Sequence, residues 1–391
     1  MRWLRRLLVL LFALALLAAL LVITVVVPIF DGRSNQVRVI PLPPLDSAAA
    51  RLHRTLAVAD LHADQLLWPR DLTERSSRGH VDLPRLVEGR VALQVFSAVT
   101  KTPRGLNYER NDSTTDMIRI LGIASRWPRR TWSSRVERAL YLAEKFDRAV
   151  AESEGGLVPI RSTADLTSLL SRRASNSALV GGLLSIEGAH ATEGTIAGLE
   201  RLYDAGYRMV GLTHFFDNEV GGSSAGVTKG GLTRFGREAI EWMAERRMIV
   251  DLAHASPRLI DEVLAANPRP VVVSHTGVQG TCPGPRNLPD DLVRRIAAAG
   301  GLIGIGYWEA AVCGLAPDTI AAAIAHTVRL AGVEHVALGS DFDGATTTGF
   351  DTSRLALLTD ALLRRGFSPE EVRLVMGGNV FRFLLAELPP R

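Results

Sequence analysis

A histidine and an aspartate, two positions apart, follow the first apolar run of the chain beyond its N-terminal region. The run Leu56-Ala57-Val58-Ala59 is typical of a buried strand, and His62 and Asp64 lie at its C-terminal end. Because strand side chains alternate between two faces, both of these side chains point the same way. An imidazole nitrogen beside a carboxylate oxygen makes half of a site for a divalent metal ion. The other half is expected from other strand ends.

Metal-type side chains follow five later apolar runs in the same way, namely Glu187, His214, His254, His275 and Asp341. A lone histidine at the end of a strand is more often structural than a ligand. Six of the eight predicted strand ends carry such a side chain, however, and a purely structural explanation does not account for that coincidence. The sequence therefore predicts one shared metal site rather than six unrelated residues.

Eight apolar runs alternate with helical patterns and predict the elements that position these side chains. The predicted strands begin with the run at 56–59 and continue with 91–96, 178–186, 208–213, 248–253, 270–274, 301–306 and 333–339. The helical patterns between them have apolar residues at three- and four-residue spacing, for example over Pro257–Ala266 and Pro317–Ala331. Strands that alternate with helices over this length predict an α/β fold, a TIM-like (β/α)8 barrel, whose active site lies at the C-terminal strand ends.

The mixture of histidines and carboxylates suits zinc or a similar divalent ion. Two ions need an anionic bridge, and Glu187 is the candidate because it stands alone among apolar neighbours. Such a pair of ions lowers the pKa of a bridging water and polarises a carbonyl group, which would allow hydrolysis of an amide. Asp341 is placed to carry the proton to the leaving nitrogen, and Asp343 is expected to hold its loop.

At this point the sequence resembles the membrane (renal-type) dipeptidases over roughly residues 50–388. The motifs that carry the resemblance occur in the family's order: Asp60-Leu61-His62-Ala63-Asp64, Ser185-Ile186-Glu187-Gly188-Ala189-His190, Leu212-Thr213-His214, Asp251-Leu252-Ala253-His254-Ala255-Ser256, Ser274-His275, Arg286-Asn287-Leu288-Pro289-Asp290 and Asp341-Phe342-Asp343-Gly344. The resemblance implies a binuclear zinc barrel that cleaves dipeptides, including dipeptides with a D-residue at the C-terminal position.

The resemblance also implies a role for each residue. His62, Asp64 and Glu187 would hold one Zn²⁺, and Glu187, His254 and His275 would hold the other. His214 would contact the scissile carbonyl region, Arg286 the free carboxylate of the substrate, and Asp341 would be the acid/base. Tyr307 or its neighbour Trp308 would close the carboxylate end. Family members have a cysteine pair similar to Cys282 and Cys313, which leads to the hypothesis of a disulfide.

The N-terminus has the pattern of a membrane anchor. Arg2, Arg5 and Arg6 precede an uncharged run from Leu7 to Val27, as long as the roughly 20 residues that a spanning helix needs. We therefore expect an anchor in contact with lipid (or a signal sequence, the less favoured option) over residues 1–30, a linker over 31–50 and the dipeptidase-like barrel over 51–391. The catalytic domain would be extracytoplasmic, on the periplasmic side of a bacterial inner membrane.

Other function classes fit the sequence less well. The net charge of +4 comes from scattered arginines, which argues against nucleic-acid binding, and two cysteines without CxxC spacing exclude a structural zinc finger. Gly222-Ser223-Ser224-Ala225-Gly226 matches the G-x-S-x-G pattern but lies in a Gly-rich loop after His214, which is expected to cover the active site, so a serine nucleophile is not favoured. Three interpretations stay open: another carboxylate-bearing amide, β-lactam or lactone as substrate; a binding protein without catalysis; and a homodimer.

Overall fold

A parallel sheet closed into a barrel organises the protein. The computed structural model describes residues 2–391, apart from the side chains of residues 15, 16, 18 and 19. Within that range nine strands form one sheet: β1 Val58–Ala63, β2 Val91–Val99, β3 Leu157–Pro159, β4 Val180–Glu187, β5 Tyr207–Gly211, β6 Ile249–Asp251, β7 Val272–Thr276, β8 Leu302–Ile305 and β9 Val336–Leu338.

Eight of these strands form the barrel that the sequence predicts. They follow the order β2-β1-β9-β8-β7-β6-β5-β4, and β4 pairs back onto β2 from Leu93↔Gly181 to Val99↔Glu187, which closes the sheet. Every pairing is parallel, so all the C-terminal strand ends lie at one rim. The short β3, which pairs with the beginning of β4, was not predicted, because three residues give no readable periodicity.

Helices surround the barrel, and most begin with a side-chain cap. In the described part of the chain they are α1 Arg2–Leu21, α2 Val27–Ser34, α3 Ser47–Arg54, α4 Leu83–Glu88, α5 Met117–Ala124, α6 Arg135–Glu152, α7 Thr163–Arg173, α8 Ile196–Asp204, α9 Arg234–Glu245, α10 Pro257–Ala266, α11 Asp290–Ala298, α12 Glu309–Val312, α13 Pro317–Ala331, α14 Ala356–Arg364, α15 Pro369–Arg373 and α16 Asn379–Glu387. The side chains of Ser134, Ser162 and Ser256 accept a hydrogen bond from the backbone N–H three residues on. The predicted boundaries of α10 and α13 are confirmed.

The N-terminal segment is helical from Arg2 to Ser34. α1 continues through a π-helical turn, Val22–Val26, into α2, and the described apolar side chains of α1, including Trp3 and Phe12, are exposed. Among the described residues no helix combines the length and the apolar character that crossing a membrane requires. The predicted membrane-spanning helix is therefore not supported; the side chains of residues 15, 16, 18 and 19, which belong to that predicted span, lie outside the described ones.

The segment predicted as a linker, residues 31–50, is in contact with the barrel over its first part. Asp31 and Asn35 are buried at the end of α2. The backbone N–H of Arg38 donates to the carbonyl of Thr348, and the backbone N–H of Thr348 donates to the carbonyl of Gln36. The expectation of a spacer therefore needs correction, because polar side chains in Asp31-Gly32-Arg33-Ser34-Asn35 have partners on the barrel that the linear sequence does not reveal.

Candidate metal centre

Seven ionisable side chains meet at the C-terminal rim of the barrel. They are the residues that the sequence predicts: His62 and Asp64 at the end of β1, Glu187 at the end of β4, His214 after β5, His254 after β6, His275 on β7 and Asp341 after β9. All are buried except Asp341, whose side chain is 13% exposed. The parallel strands bring together positions that are up to 279 residues apart in sequence, from 62 to 341.

Glu187 lies at the centre of this cluster. Its Oε1 atom is 2.9 Å from Nε2 of His254 and 3.4 Å from Nε2 of both His214 and His275. Its Oε2 atom faces the other side and lies 3.8 Å from Nε2 of His62. The two oxygens of this carboxylate therefore face different histidines, as those of a ligand that bridges two metal ions must.

Three overlapping groups of donor atoms have the spacing of a metal site, within 4.8 Å of one another: His62–Glu187–His275, Glu187–His214–His254 and His62–Asp64–Asp341. These groups differ from the two sets of ligands that were predicted for the two ions. One of them contains His214, which was predicted to contact substrate. The clusters that share Glu187 indicate a binuclear centre. The division of ligands between the ions stays a prediction.

The buried ionisable side chains of the cluster suit the binding of metal cations. Burial raises the pKa of Glu187 well above its ordinary value, and the negative charge of Asp64 raises it further. Burial also lowers the pKa of His254 and His275, which keeps the imidazoles neutral, the form that binds a metal. Among the described residues, His62 Nε2 and Asp64 Oδ1 are buried without a hydrogen-bond partner. Buried nitrogen and oxygen atoms of this kind match the ligand set of zinc or a similar divalent ion.

Two supporting residues were missed by the sequence analysis. Asp251, at the end of β6, accepts hydrogen bonds from the backbone N–H of Ser274 (2.8 Å) and from its hydroxyl (2.6 Å). The same hydroxyl lies 3.0 Å from Nδ1 of His275 and 3.4 Å from Nδ1 of His62. Such supports orient metal ligands and fix their tautomers. The signal was present, since Asp251 opens one of the quoted motifs and Ser274 precedes a ligand.

Asp341 is held by the loop that follows β9. Burial raises the pKa of its carboxyl group to about 8, while nearby His62 lowers it. Asp343, two residues on, has its pKa lowered by the charge of Arg70 and by His80, against the effect of burial. The two aspartates therefore differ in environment, and Asp343 has the loop-holding contacts that the sequence analysis expected of it.

Arg286, the predicted ligand of the substrate carboxylate, is buried beside the cluster. Its Nη2 atom donates to the carbonyl oxygen of His275 at 2.8 Å, and its guanidinium carbon lies 5.9 Å from the ring centre of Trp308. Tyr307, the predicted substrate contact, is placed differently. Its ring packs against Phe342 at 5.4 Å and is fully buried. Consecutive residues after β8 point to opposite sides, so Trp308 rather than Tyr307 faces the cluster, where it lies 6.0 Å from His275.

The loops after β2 and β5 cover the centre. Burial and the charge of Asp341 raise the pKa of Tyr108, a residue that the sequence analysis did not single out. The Tyr108 ring lies 5.9 Å from that of Phe215, which follows His214. An aromatic residue within a loop after a strand end was the signal available in the sequence.

The G-x-S-x-G segment lies in the loop after β5 and supports metal-type residues. The hydroxyl of Ser223 donates to the carbonyl oxygen of His214, and the backbone N–H of Ser224 donates to that of His254 at 2.8 Å. The serine is not on a strand-to-helix turn, since α9 begins only at Arg234. The segment is therefore a structural loop, in agreement with the sequence analysis.

The hypothesis that Cys282 and Cys313 form a disulfide is confirmed. Their Cα atoms are 5.3 Å apart, in the loops that follow β7 and β8. The bond ties together the two loops that carry Arg286 and Trp308. It therefore stabilises the side of the site where the substrate carboxylate is expected.

Comparison with known proteins places these features in a family. Residues 47–387 match the family model described as membrane dipeptidase (peptidase family M19). The chain is 30% identical to dipeptidase verJ of Clonostachys rogersoniana over 312 residues, which is 78% of this chain and 75% of the relative. It is also 30% identical to dipeptidase aclJ of Aspergillus oryzae over 367 residues, which is 87% of this chain and 79% of the relative.

Solved structures share the fold. A metallopeptidase from Rhodobacter sphaeroides, liganded with a phosphinate mimic of the dipeptide L-Ala-D-Ala, superposes with a TM-score of 0.67 at 22% identity. The match covers 85% of this chain and 99% of that one. This similarity confirms the barrel architecture over most of the chain.

Proposed function

The chain belongs to the membrane dipeptidase family, and on that premise we propose that it is a metallodipeptidase that hydrolyses the peptide bond of dipeptides. The observation that carries the proposal is the position of Glu187. Its two carboxylate oxygens face different imidazoles, three on one side and His62 on the other. A buried bridging carboxylate is what a binuclear hydrolase requires, and a barrel that served only as a scaffold would have no use for it.

The proposed cofactor is a pair of zinc ions that share Glu187. His62 and Asp64 would complete the ligands of one ion, and His254 and His275 would complete those of the other. Several imidazole donors beside carboxylates favour zinc over magnesium or calcium, which prefer ligand sets made only of oxygen. When bound, such ions polarise the scissile carbonyl and lower the pKa of a water molecule.

The chain's own residues bind and orient the dipeptide. Arg286 would bind the free C-terminal carboxylate, since a guanidinium offers two parallel donors to a planar anion. His214, at 3.4 Å from Glu187, would contact the carbonyl region. Asp341, the most exposed member of the cluster, would hold the proton that the leaving amine needs. We include dipeptides with a C-terminal D-residue as substrates, since the Rhodobacter sphaeroides relative binds a mimic of L-Ala-D-Ala.

We further propose that the enzyme works on the oxidising side of a membrane to which its N-terminal helix attaches it. Two observations support this. The Cys282–Cys313 disulfide persists in oxidising compartments. The exposed apolar side chains of α1 beside Arg2, Arg5 and Arg6 suit a lipid surface with anionic headgroups. Fractionation of cells at neutral pH and low salt, with thiol labelling of the unreduced protein, tests both parts: a soluble protein with two free thiols would contradict them.

Hydrolysis assays test the proposed activity. The zinc-loaded full chain, purified in detergent, is given a panel of L,L and L,D dipeptides together with N-acylated and C-amidated versions of each. We expect chelator-sensitive release of free amino acids from the unmodified dipeptides alone, because both termini are recognised. A protein with two bound zinc ions that cleaves none of them would move the assignment to another amide, β-lactam or lactone.

A further inference from the structure

A buried carboxylate outside the family match is connected to the site. Asp31 lies in the last turn of α2, sixteen residues before the matched region begins at residue 47, yet its side chain is fully buried. It accepts hydrogen bonds from Nε of Arg78 at 2.7 Å and from the side-chain amide of Asn35 at 2.9 Å. It also forms an ion pair with Arg70, whose Nε atom lies 3.1 Å away. A buried charge with three partners is costly to disturb.

Arg70 connects Asp31 to the loop that contains Asp341. Its Nη2 atom lies 2.9 Å from Oδ1 of Asp343, so one buried guanidinium joins two buried carboxylates. The side-chain oxygen of Asn35 accepts a hydrogen bond from the backbone N–H of Ala345 at 3.0 Å. The end of α2 thus contacts residues 341–345, here named the acid loop, at two points.

The acid loop has a backbone that needs such support. Asp341, Asp343 and Ala345 have φ values of 58°, 64° and 58°, in the left-handed region that residues other than glycine rarely adopt. Gly344 lies so close that a Cβ there would approach Asp341 Oδ1 to 2.0 Å and Asp64 Oδ2 to 2.9 Å. Backbone conformations of this kind persist only where surrounding contacts hold them.

We propose that Asp31 is a positioning residue for the hydrolytic reaction: through Arg70 and Asn35 it holds the acid loop so that Asp341 faces the metal centre. The inference rests on the proposed function for the role of Asp341, but the coupling between Asp31 and the loop does not. It gives the segment before the family barrel a part in the active site, beyond linking the barrel to α1.

Hydrogen exchange tests the coupling without reference to activity. In the full chain, Asp31→Asn removes the charge and keeps the shape. We expect exchange at least tenfold faster in peptides covering residues 341–348, with no change in peptides covering β5 and β6 on the opposite side. Asp291→Asn on the exposed first turn of α11 is the matched control and should change neither. Equally faster exchange in all peptides, or unchanged exchange in the peptides of the acid loop, would overturn the proposal.

Kinetics test the role in positioning. We expect Asp31→Asn to lower kcat for a good dipeptide at least tenfold with unchanged metal content, and Asp31→Glu to recover part of the loss. In an Asp341→Asn background the same substitution should lower kcat less than twofold, because the carboxylate that Asp31 positions is already absent. Equal fractional losses in both backgrounds would show that Asp31 acts on general stability instead. If the wild-type chain cleaves no dipeptide, the proposed function fails, while the exchange experiment still decides the coupling.

Discussion

Ser274→Ala should weaken metal binding although Ser274 is not itself a proposed ligand. A serine hydroxyl has one hydrogen, and here it is donated to Asp251 Oδ2 at 2.6 Å. The oxygen can therefore only accept from Nδ1 of His275, 3.0 Å away, which places the imidazole proton on Nδ1. That tautomer leaves the Nε2 lone pair free and pointing at Glu187. The hydroxyl thus selects the form of His275 that binds a metal.

The size of the effect follows from the lost contact. In the variant the buried Nδ1–H group loses its acceptor, at a cost of about 1–3 kcal/mol. Loss of a support of this kind typically lowers metal affinity about 10- to 100-fold, which corresponds to about 1.4–2.8 kcal/mol. The two figures agree, so a change of at least tenfold in the dissociation constant is expected for the ion bound by His275.

Competition with a chromophoric chelator measures this affinity. Ser97→Ala is the matched control: Ser97 is also buried on a barrel strand, and among the described residues its hydroxyl has no hydrogen-bond partner. We expect zinc affinity of the control within twofold of wild type. Unchanged affinity in Ser274→Ala, with the fold intact by circular dichroism, would refute the reasoning that the hydroxyl fixes the His275 tautomer.

Three further outcomes are expected. Burial lowers the pKa of Lys145 from 10.5 to about 7. Between these pH values the unfolded chain binds more protons than the folded one, so the free energy of unfolding should rise with pH, by at most about 1.4 kcal/mol per pH unit. Denaturant titrations of Lys145→Met at several pH values should lack this slope. Arg286→Lys should lower kcat/KM for dipeptides about 10- to 100-fold with unchanged metal content, since one bidentate pair is lost; a kcat/KM within twofold of wild type would contradict carboxylate binding. Ser224→Ala should keep kcat within about threefold of wild type, whereas an inactive variant with full metal content would restore the serine nucleophile as an explanation.

The barrel and the metal-type residues could be predicted from the sequence because both depend on local patterns. Apolar runs mark the strands, and the residue type at each C-terminal end marks the rim, so the sequence alone was enough to place His62, Glu187 and His275 together. This prediction is reliable for parallel strands, because their C-terminal ends lie at one rim of the barrel whatever the lengths of the helices between them.

The missed features depend on contacts between distant segments. Asp31 has the sequence context of a polar spacer, and its partners Arg70 and Arg78 lie 39 and 47 residues further along the chain. The side to which Tyr307 points depends on where β8 ends, and a shift of one residue reverses it. The contact of Ser274 with His275 depends on the local backbone at the end of β7, which periodicity cannot resolve.

The metal content of Glu187→Gln tests the central claim most directly. The amide keeps the size of the side chain but removes the charge that two cations would share, and Glu200→Gln on the exposed face of α8 is the matched control. Elemental analysis of protein dialysed against zinc should find two ions per chain in wild type and control, and at most one in Glu187→Gln, with dipeptide hydrolysis lost. Two retained ions, or hydrolysis within twofold of wild type, would contradict a binuclear centre bridged by Glu187.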